Sequence, residues 1–368
     1  MEAIDVAVIG AGVTGLASAW AIARLGRTVC VLERHTRPGL DTSTHNSGVI
    51  HGGIYYPQGS LKARLSVEGR RLLYELCATR GIPHAKCGKL IVAHSDDELP
   101  ALEALKRTAE DNGVEGLCLV DRRFIKSREP AVAAVAALHS PETGVIDAEA
   151  MVRALLEGFR AEGGVFLPAT RLVGGSPHPS GIRLRTEREE LLEHQVVNAA
   201  GLYADEVSAL VGGESFAIHP CRGEYAELVP ARRSMVNGLV YPLPRGHGLG
   251  VHLVRTLGGA VWLGPTVRFQ ERKDDYEDGR LPVESFLEPA KRLLPDVSLD
   301  DLRLSGSGIR AKLHGPDTSF ADFLIRRDAC NPHVVQAAGI ESPGLTACLA
   351  VGRLVGAIVM DRDVSAPN

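Results

Sequence analysis

The run Ile4-Asp5-Val6-Ala7-Val8-Ile9-Gly10-Ala11-Gly12-Val13-Thr14-Gly15 leaves the chain few ways to fold. An apolar strand enters a G-x-G-x-x-G turn, and the spacing after it predicts a helix over Leu16 to Leu25. A second strand, Thr28 to Leu32, then ends at Glu33. Gly10 permits the tight turn, Gly12 lets a pyrophosphate approach the backbone, and Gly15 lets helix and strand pack closely. Val13 and Thr14 complete the turn, whose exposed N–H groups and helix dipole attract phosphate. Glu33 is placed to accept hydrogen bonds from a ribose diol, and its charge disfavours a 2′-phosphate. Strand, turn, helix and acid in register predict a dinucleotide-binding domain, where lone glycines would predict only a packing turn.

Composition narrows the rest. With 368 residues the chain is long enough for two domains, and its net charge of −4 favours no polyanion. Arginine pairs such as Arg70-Arg71 and Arg232-Arg233 are scattered, as on solvated faces, so no nucleic-acid partner is expected. The 7 cysteines form no CxxC motif, and reduced thiols in a cytoplasm are expected. Residues 4–23 are apolar, but no basic residue precedes Arg24, so the stretch is read as fold and not as an export signal. Leu345 to Met360 carries Arg353, is too short to span a bilayer and reads as a buried helix. No histidine, cysteine or carboxylate spacing suggests a metal site, and no G-x-S-x-G elbow occurs.

Further along, helices are predicted over Ser66 to Thr79, Glu98 to Asn112 and Ala148 to Glu162, with a strand at Lys89 to Ala93. Between Val165 and Ala199 the pattern turns β, and His219 to Gln270 suggests a sheet of its own. The charged run Glu271 to Leu281 reads as a solvated loop. Three junctions suit a ligand at strand ends: the first turn, Asn198 to Gly201, and Gly339 to Gly344. An α/β nucleotide domain (1–82, 146–212 and 303–368) interrupted by a substrate domain (83–145 and 213–302) is therefore expected.

Ser43 to Tyr56 is rich in small polar residues and glycines, which let backbone approach a flat ring or a phosphate. Gly339-Ile340-Glu341-Ser342-Pro343-Gly344-Leu345-Thr346 runs into the apolar C-terminal helix, whose N-terminus can stabilise negative charge. Together with HNSGVIHGGIYY (45–56), RGEY (222–225), VYPLP (240–244), GVHL (250–253) and SGIRAKL (307–313), these motifs occur in order over nearly the whole chain. The chain resembles the L-2-hydroxyglutarate dehydrogenase/oxidase branch of the FAD-dependent D-amino-acid-oxidase (DAO) superfamily. The resemblance implies a GR2-type Rossmann-like FAD domain, a mainly antiparallel substrate domain, and FAD between them. It assigns the pyrophosphate to Gly10, Gly12, Val13, Thr14 and Gly15, the ribose to Glu33, and the adenosine region to Arg34. It carries Ser43, Asn46, Ser47 and Gly48 to the diphosphate-flavin stretch, Val173 to the adenine, and Ala200 and Gly201 to the nucleotide half. Gly308, Ile309, Gly339, Glu341, Ser342, Gly344, Leu345 and Thr346 would surround the isoalloxazine.

Oxidising a 2-hydroxy acid needs a base for the hydroxyl proton and a cationic clamp for carboxylate. His51 and His252 are the candidate bases, Arg310 and Lys312 the clamp, and Tyr55 and Tyr241 hydrogen-bond donors to substrate. His45 and His219 are weaker candidates, and Arg222 and Tyr225 serve either the pocket or merely its sheet. Relative to the family pattern, Ala311 replaces proline, Gly52 alanine, Val254 threonine and Thr266 asparagine, changes that bear on substrate recognition. The leading reading is oxidation of a small L-2-hydroxy acid, a dicarboxylate such as L-2-hydroxyglutarate. The alternatives are an amine or amino-acid oxidase of the glycine/sarcosine type and a non-catalytic flavin-binding subunit. The electron acceptor stays open among oxygen, a quinone and an electron-transfer protein, and a quinone would bring the chain to the inner face of a membrane.

Overall fold

Strands that read as near-continuous apolar runs must be covered on both faces, and the opening strand is. The computed structural model describes residues 4–244, 250–318 and 320–362. Ile4–Ile9 lies between Val29–Leu32 and Glu190–Asn198, all parallel, and Val165–Leu167 and Val334–Ala338 extend the array. The strand Glu190–Asn198 is shared: Glu190 to Glu193 pair antiparallel with Gly181–Thr186, whereas Val196 to Asn198 pair with Val334–Ala338. Ile9, Asn198 and Gln336 stand in register, so the glycine junctions that follow these strands meet at one edge of the sheet.

Helix packing depends on absent side chains. A Cβ on Gly15 would stand 1.9 Å from the Gly10 carbonyl oxygen, and one on Gly352 would stand 2.5 Å from that of Ala17. The second contact joins Val13–Arg24 to the C-terminal helix Gly344–Val359. The first helix begins at Val13, earlier than predicted, because Leu16 N–H already donates to Gly12 O. The helix predicted over 66–79 is Leu61–Arg80, with the Ser60 side chain accepting from Ala63 N–H and Gly81 closing it at φ 64°.

The other large sheet runs Arg268–Phe269, His219–Leu228, Val261–Gly264, His252–Arg255, Leu239–Pro242, Lys89–Ala93, Ala136–Ser140, Cys118–Asp121. It is antiparallel apart from Leu239–Pro242 beside Lys89–Ala93. Leu302–Lys312 lies along His219–Leu228, from Leu228 opposite Leu302 to His219 opposite Lys312. That strand, just beyond the boundary expected at 302/303, thus pairs into the second sheet. A small sheet of Val49–Ile50, Gly144–Ile146 and His84–Ala85 lies apart from both.

The segment 271–281 is the largely exposed loop its charge suggested, and its backbone is anchored to buried groups. Arg222, fully buried, donates to the carbonyls of Asp275, Asp278 and Gly279, and Glu224 accepts from Leu281 N–H at 2.8 Å. A buried ion pair such as Arg222–Glu224 needs its remaining donors and acceptors filled, and the loop fills them.

Gly352→Val should lower stability by about 1–3 kcal/mol through overpacking. Thermal unfolding checks this, and an unchanged melting temperature would show that the helices do not need the close approach.

Candidate active site

A cavity of about 910 Å³ takes its lining from both large sheets, within the range of about 300–1,000 Å³ usual for small-molecule sites. At one end stand Gly10, Gly12, Val13 and Thr14. A Cβ on Gly12 would lie 2.8 Å from Ser43 Oγ, which itself accepts from Val13 N–H at 3.0 Å. Gly15 does not line the cavity; it is the packing glycine. Glu33 lines it, with Oε2 accepting from Ala11 N–H at 2.8 Å and Oε1 from His35 N–H at 2.9 Å. These bonds fix the carboxylate and leave each oxygen a further lone pair. Arg34 lies 3.7 Å over the Tyr203 ring and pairs with Asp41 at 3.0 Å. Ala200 and Gly201 complete this end.

Several expected contacts stand behind the lining. Thr170, Arg171 and Leu172 line the cavity where Val173 was expected; Val173 sits at the register shift between Leu172 and Gly174. Gly48 is outside because its φ of 64° seats the loop where a Cβ would meet Ile146 O at 2.5 Å. Gly339, at φ 66°, packs under Leu313. Thr346 is buried, and its Oγ1 accepts from His51 N–H at 2.9 Å. It holds the histidine strand and does not face the cavity.

Asn46, Ser47, Gly308, Ile309, Glu341, Ser342, Gly344 and Leu345 do line the cavity. Asn46 also shapes its own turn, donating to Thr42 O and Ser43 O while accepting from Gly48 N–H. The helix Gly344–Val359 has no side-chain cap; Gly344 N–H donates to Glu341 O and Ala347 N–H to Pro343 O, which leaves those of Leu345 and Thr346 for a ligand. Gly308 packs where a Cβ would stand 2.0 Å from His45 O. A glycine turn where a Cβ at Gly12 would press on Ser43 Oγ, an acid at the far strand and a helix without a side-chain cap at the other end fit FAD.

The substrate candidates converge. His51, Tyr55, Tyr241, His252, Arg310 and Lys312 all line the same cavity. His51 Nε2 is 3.3 Å from Ser342 Oγ, and its Nδ1 is buried without a partner. Burial, and after it the charge of Lys89, lowers the His51 pKa to about 3, so the ring is neutral at neutral pH. The Tyr241 ring stacks on His252 at 3.9 Å and 6°. Arg310 donates to Thr266 O at 3.2 Å and has no carboxylate partner among the described residues. Lys312 pairs with Glu341 at 2.8 Å. His45 and Tyr225 also line the cavity, whereas His219 and Arg222 do not.

Sequence reasoning missed Lys62, whose Nζ is 3.0 Å from Glu341 on the same cavity wall. Its helix was predicted to start later, so Lys62 fell outside it. Burial alone would raise the Glu341 carboxyl, but Lys62 and Lys312 overrule it and hold the group below its ordinary range. No cluster able to hold a metal occurs among the described residues, and none of their helices is long and apolar enough to cross a membrane.

A family model described as FAD dependent oxidoreductase (DAO) matches residues 5–358. The mitochondrial L-2-hydroxyglutarate dehydrogenase of Arabidopsis thaliana is 36% identical, over 95% of this chain and 82% of its own length. The L-2-hydroxyglutarate dehydrogenase of Escherichia coli strain K12 is 28% identical, over 95% of this chain and 91% of its own. Among solved structures, dithionite-reduced L-alpha-glycerophosphate oxidase from Mycoplasma pneumoniae with FAD bound is similar at a TM-score of 0.89, with 27% identity over 100% of this chain and 97% of its own. Glycine oxidase from Geobacillus kaustophilus, at a TM-score of 0.83 and 22% identity over 99% of this chain and 96% of its own, shares the fold.

Glu341→Gln should cost about 3 kcal/mol, because it strands the buried Lys62 ammonium and takes the partner from the part-buried Lys312. The depressed carboxyl stabilises the fold fully above its unfolded pKa of about 4.3 and loses that contribution as pH falls through the lower folded value. Denaturant unfolding from neutral to acid pH checks both, since the variant should lack this acid loss.

Proposed function

The chain belongs to the family of FAD dependent oxidoreductases, and on that premise we propose that it oxidises a small L-2-hydroxy dicarboxylate, of the 2-hydroxyglutarate type, to the 2-oxo acid. One observation carries the substrate class. At this end of the cavity Arg310 has no carboxylate partner among the described residues, and Lys62 and Lys312 share the single carboxylate of Glu341. The two positive charges in excess match the two carboxylates of such a substrate. The relatives named L-2-hydroxyglutarate dehydrogenase support the same reading.

Bound FAD supplies the hydride-accepting chemistry at the carbinol carbon. Arg310 offers carboxylate a forked guanidinium already fixed by Thr266 O, and the Lys62–Glu341–Lys312 cluster faces the second carboxylate. His51 enters neutral and can accept the hydroxyl proton; a dianion bound beside it offsets the Lys89 charge and raises its proton affinity. His252, held flat against Tyr241, is the competing base. Seven cysteines with no CxxC motif in the sequence suit the cytoplasmic placement that goes with this reading.

A second reading rests on the solved L-alpha-glycerophosphate oxidase. Glycerophosphate is a secondary alcohol carrying a phosphate dianion, and the same surplus charge would suit it. Anaerobic mixing decides between them: L-2-hydroxyglutarate should bleach the flavin band near neutral pH, and α-glycerophosphate, glycine and sarcosine should not. Bleaching by glycerophosphate alone would replace the substrate class.

His51→Ala should slow flavin reduction by L-2-hydroxyglutarate about 10²–10⁴-fold at unchanged FAD content. If His252→Ala produces that loss and His51→Ala does not, the base is His252.

A further inference from the structure

We propose that Lys89 is a positioning residue that lends the cavity a positive charge from behind its wall, and that an anionic substrate locks this charge on when it binds. The identity of the anion rests on the dicarboxylate reading above. Lys89 opens the strand Lys89–Ala93, between Leu239–Pro242 and Ala136–Ser140. It is 1% exposed, and its Nζ has no hydrogen-bond partner. The ammonium lies 4.6 Å from the centre of the Tyr55 ring and 4.5 Å from that of Tyr241. Both rings line the cavity, and Tyr241 carries the stacked His252. A single aromatic layer therefore separates Lys89 from the space where substrate would lie.

A lysine is a poor filler for such a place. A buried ammonium requires a counter-ion or hydrogen bonds, and the faces of two tyrosines compensate only in part. A methionine would fill the same volume with no charge to desolvate. Glu129 and Arg128 line a smaller second pocket with Lys89, but Glu129 is engaged by Asn237 N–H, and among the described residues no carboxylate pairs with the Lys89 ammonium. The 51–56 segment presents His51, Tyr55 and Tyr56, and the strand Leu239–Pro242 presents Tyr241 with His252 beyond it. The strand Ala136–Ser140 brings His139, and Cys87 precedes Lys89. Burial raises the Tyr55, Tyr56, Tyr241 and Cys87 pKa values, so none of these is ionised at neutral pH. Burial likewise lowers Lys89 to about 7. A bound dicarboxylate offsets the cations that line the cavity, and with them their repulsion of the Lys89 ammonium behind the tyrosine layer.

Linkage then makes a specific demand. If the bound anion favours charged Lys89, then charged Lys89 favours the anion, and binding above pH 7 must take up a proton. Glutarate, which lacks the hydroxyl and cannot react, is the probe, read by flavin difference spectra of the oxidised holoenzyme. Its Kd should weaken about tenfold from pH 6 to pH 9, and calorimetry at pH 8 in buffers of different ionisation heat should show proton uptake. In Lys89→Met, with FAD content and melting temperature checked, this weakening should vanish; in Lys89→Arg it should move above pH 9. Glutarate binding with no proton uptake by the wild-type holoenzyme, or a limb that persists in Lys89→Met, overturns the role of Lys89. A Lys89-dependent limb without reduction by L-2-hydroxyglutarate overturns only the substrate reading, and no binding of glutarate at any pH overturns both.

Discussion

Backbone packed directly on backbone holds the nucleotide half of this molecule together. At Gly10 a Cβ would stand 2.6 Å from Ala199 O, at Gly15 it would meet Gly10 O, and at Gly352 it would meet Ala17 O. These contacts stack the turn on the neighbouring strand junction, the first helix on the turn, and the C-terminal helix on the first. Ends of the chain that are far apart in sequence thereby become one wall of the cavity. The glycine turn and the start of the helix Gly344–Val359 come to one cavity through that one arrangement.

The charge layout at the other end follows a different logic. Cations there are not balanced one for one: Glu341 serves two lysines, Arg310 rests on a carbonyl, and Lys89 rests on aromatic faces. Such a site is unfavourable while it holds no anion, and each uncompensated charge adds to the gain when one arrives. His51 is drawn into the same balance, because part of its reluctance to take a proton comes from Lys89.

Features set by local pattern were legible in the sequence: the turn, the acid at Glu33, the alternation of strands, and a second sheet built around His219 to Gln270. What was not legible depends on partners distant along the chain. The segment 271–281 is exposed as its charges suggested, but the hold that the buried Arg222 has on its carbonyls is not visible in sequence. Thr346 and Gly339 sit in a motif that carries cavity residues, yet their neighbours turn them inward, Thr346 to the His51 backbone and Gly339 to Leu313. Lys62 and Lys89 were invisible for one reason. A lysine is read as solvated unless its partner is known, and their partners are Glu341 and the tyrosine faces.

The strand Leu302–Lys312 carries Arg310 and Lys312 at alternate positions while its backbone is locked opposite His219–Leu228. Alternate residues of a strand share a face, so a slip by one position would exchange both cations for Ile309 and Ala311. Descendants of this chain can therefore change what the pocket grips by replacing side chains in place, but not by gaining or losing a residue along this strand. Length variation is left to its connecting turns, and diversification of the pocket becomes a matter of spelling at fixed positions.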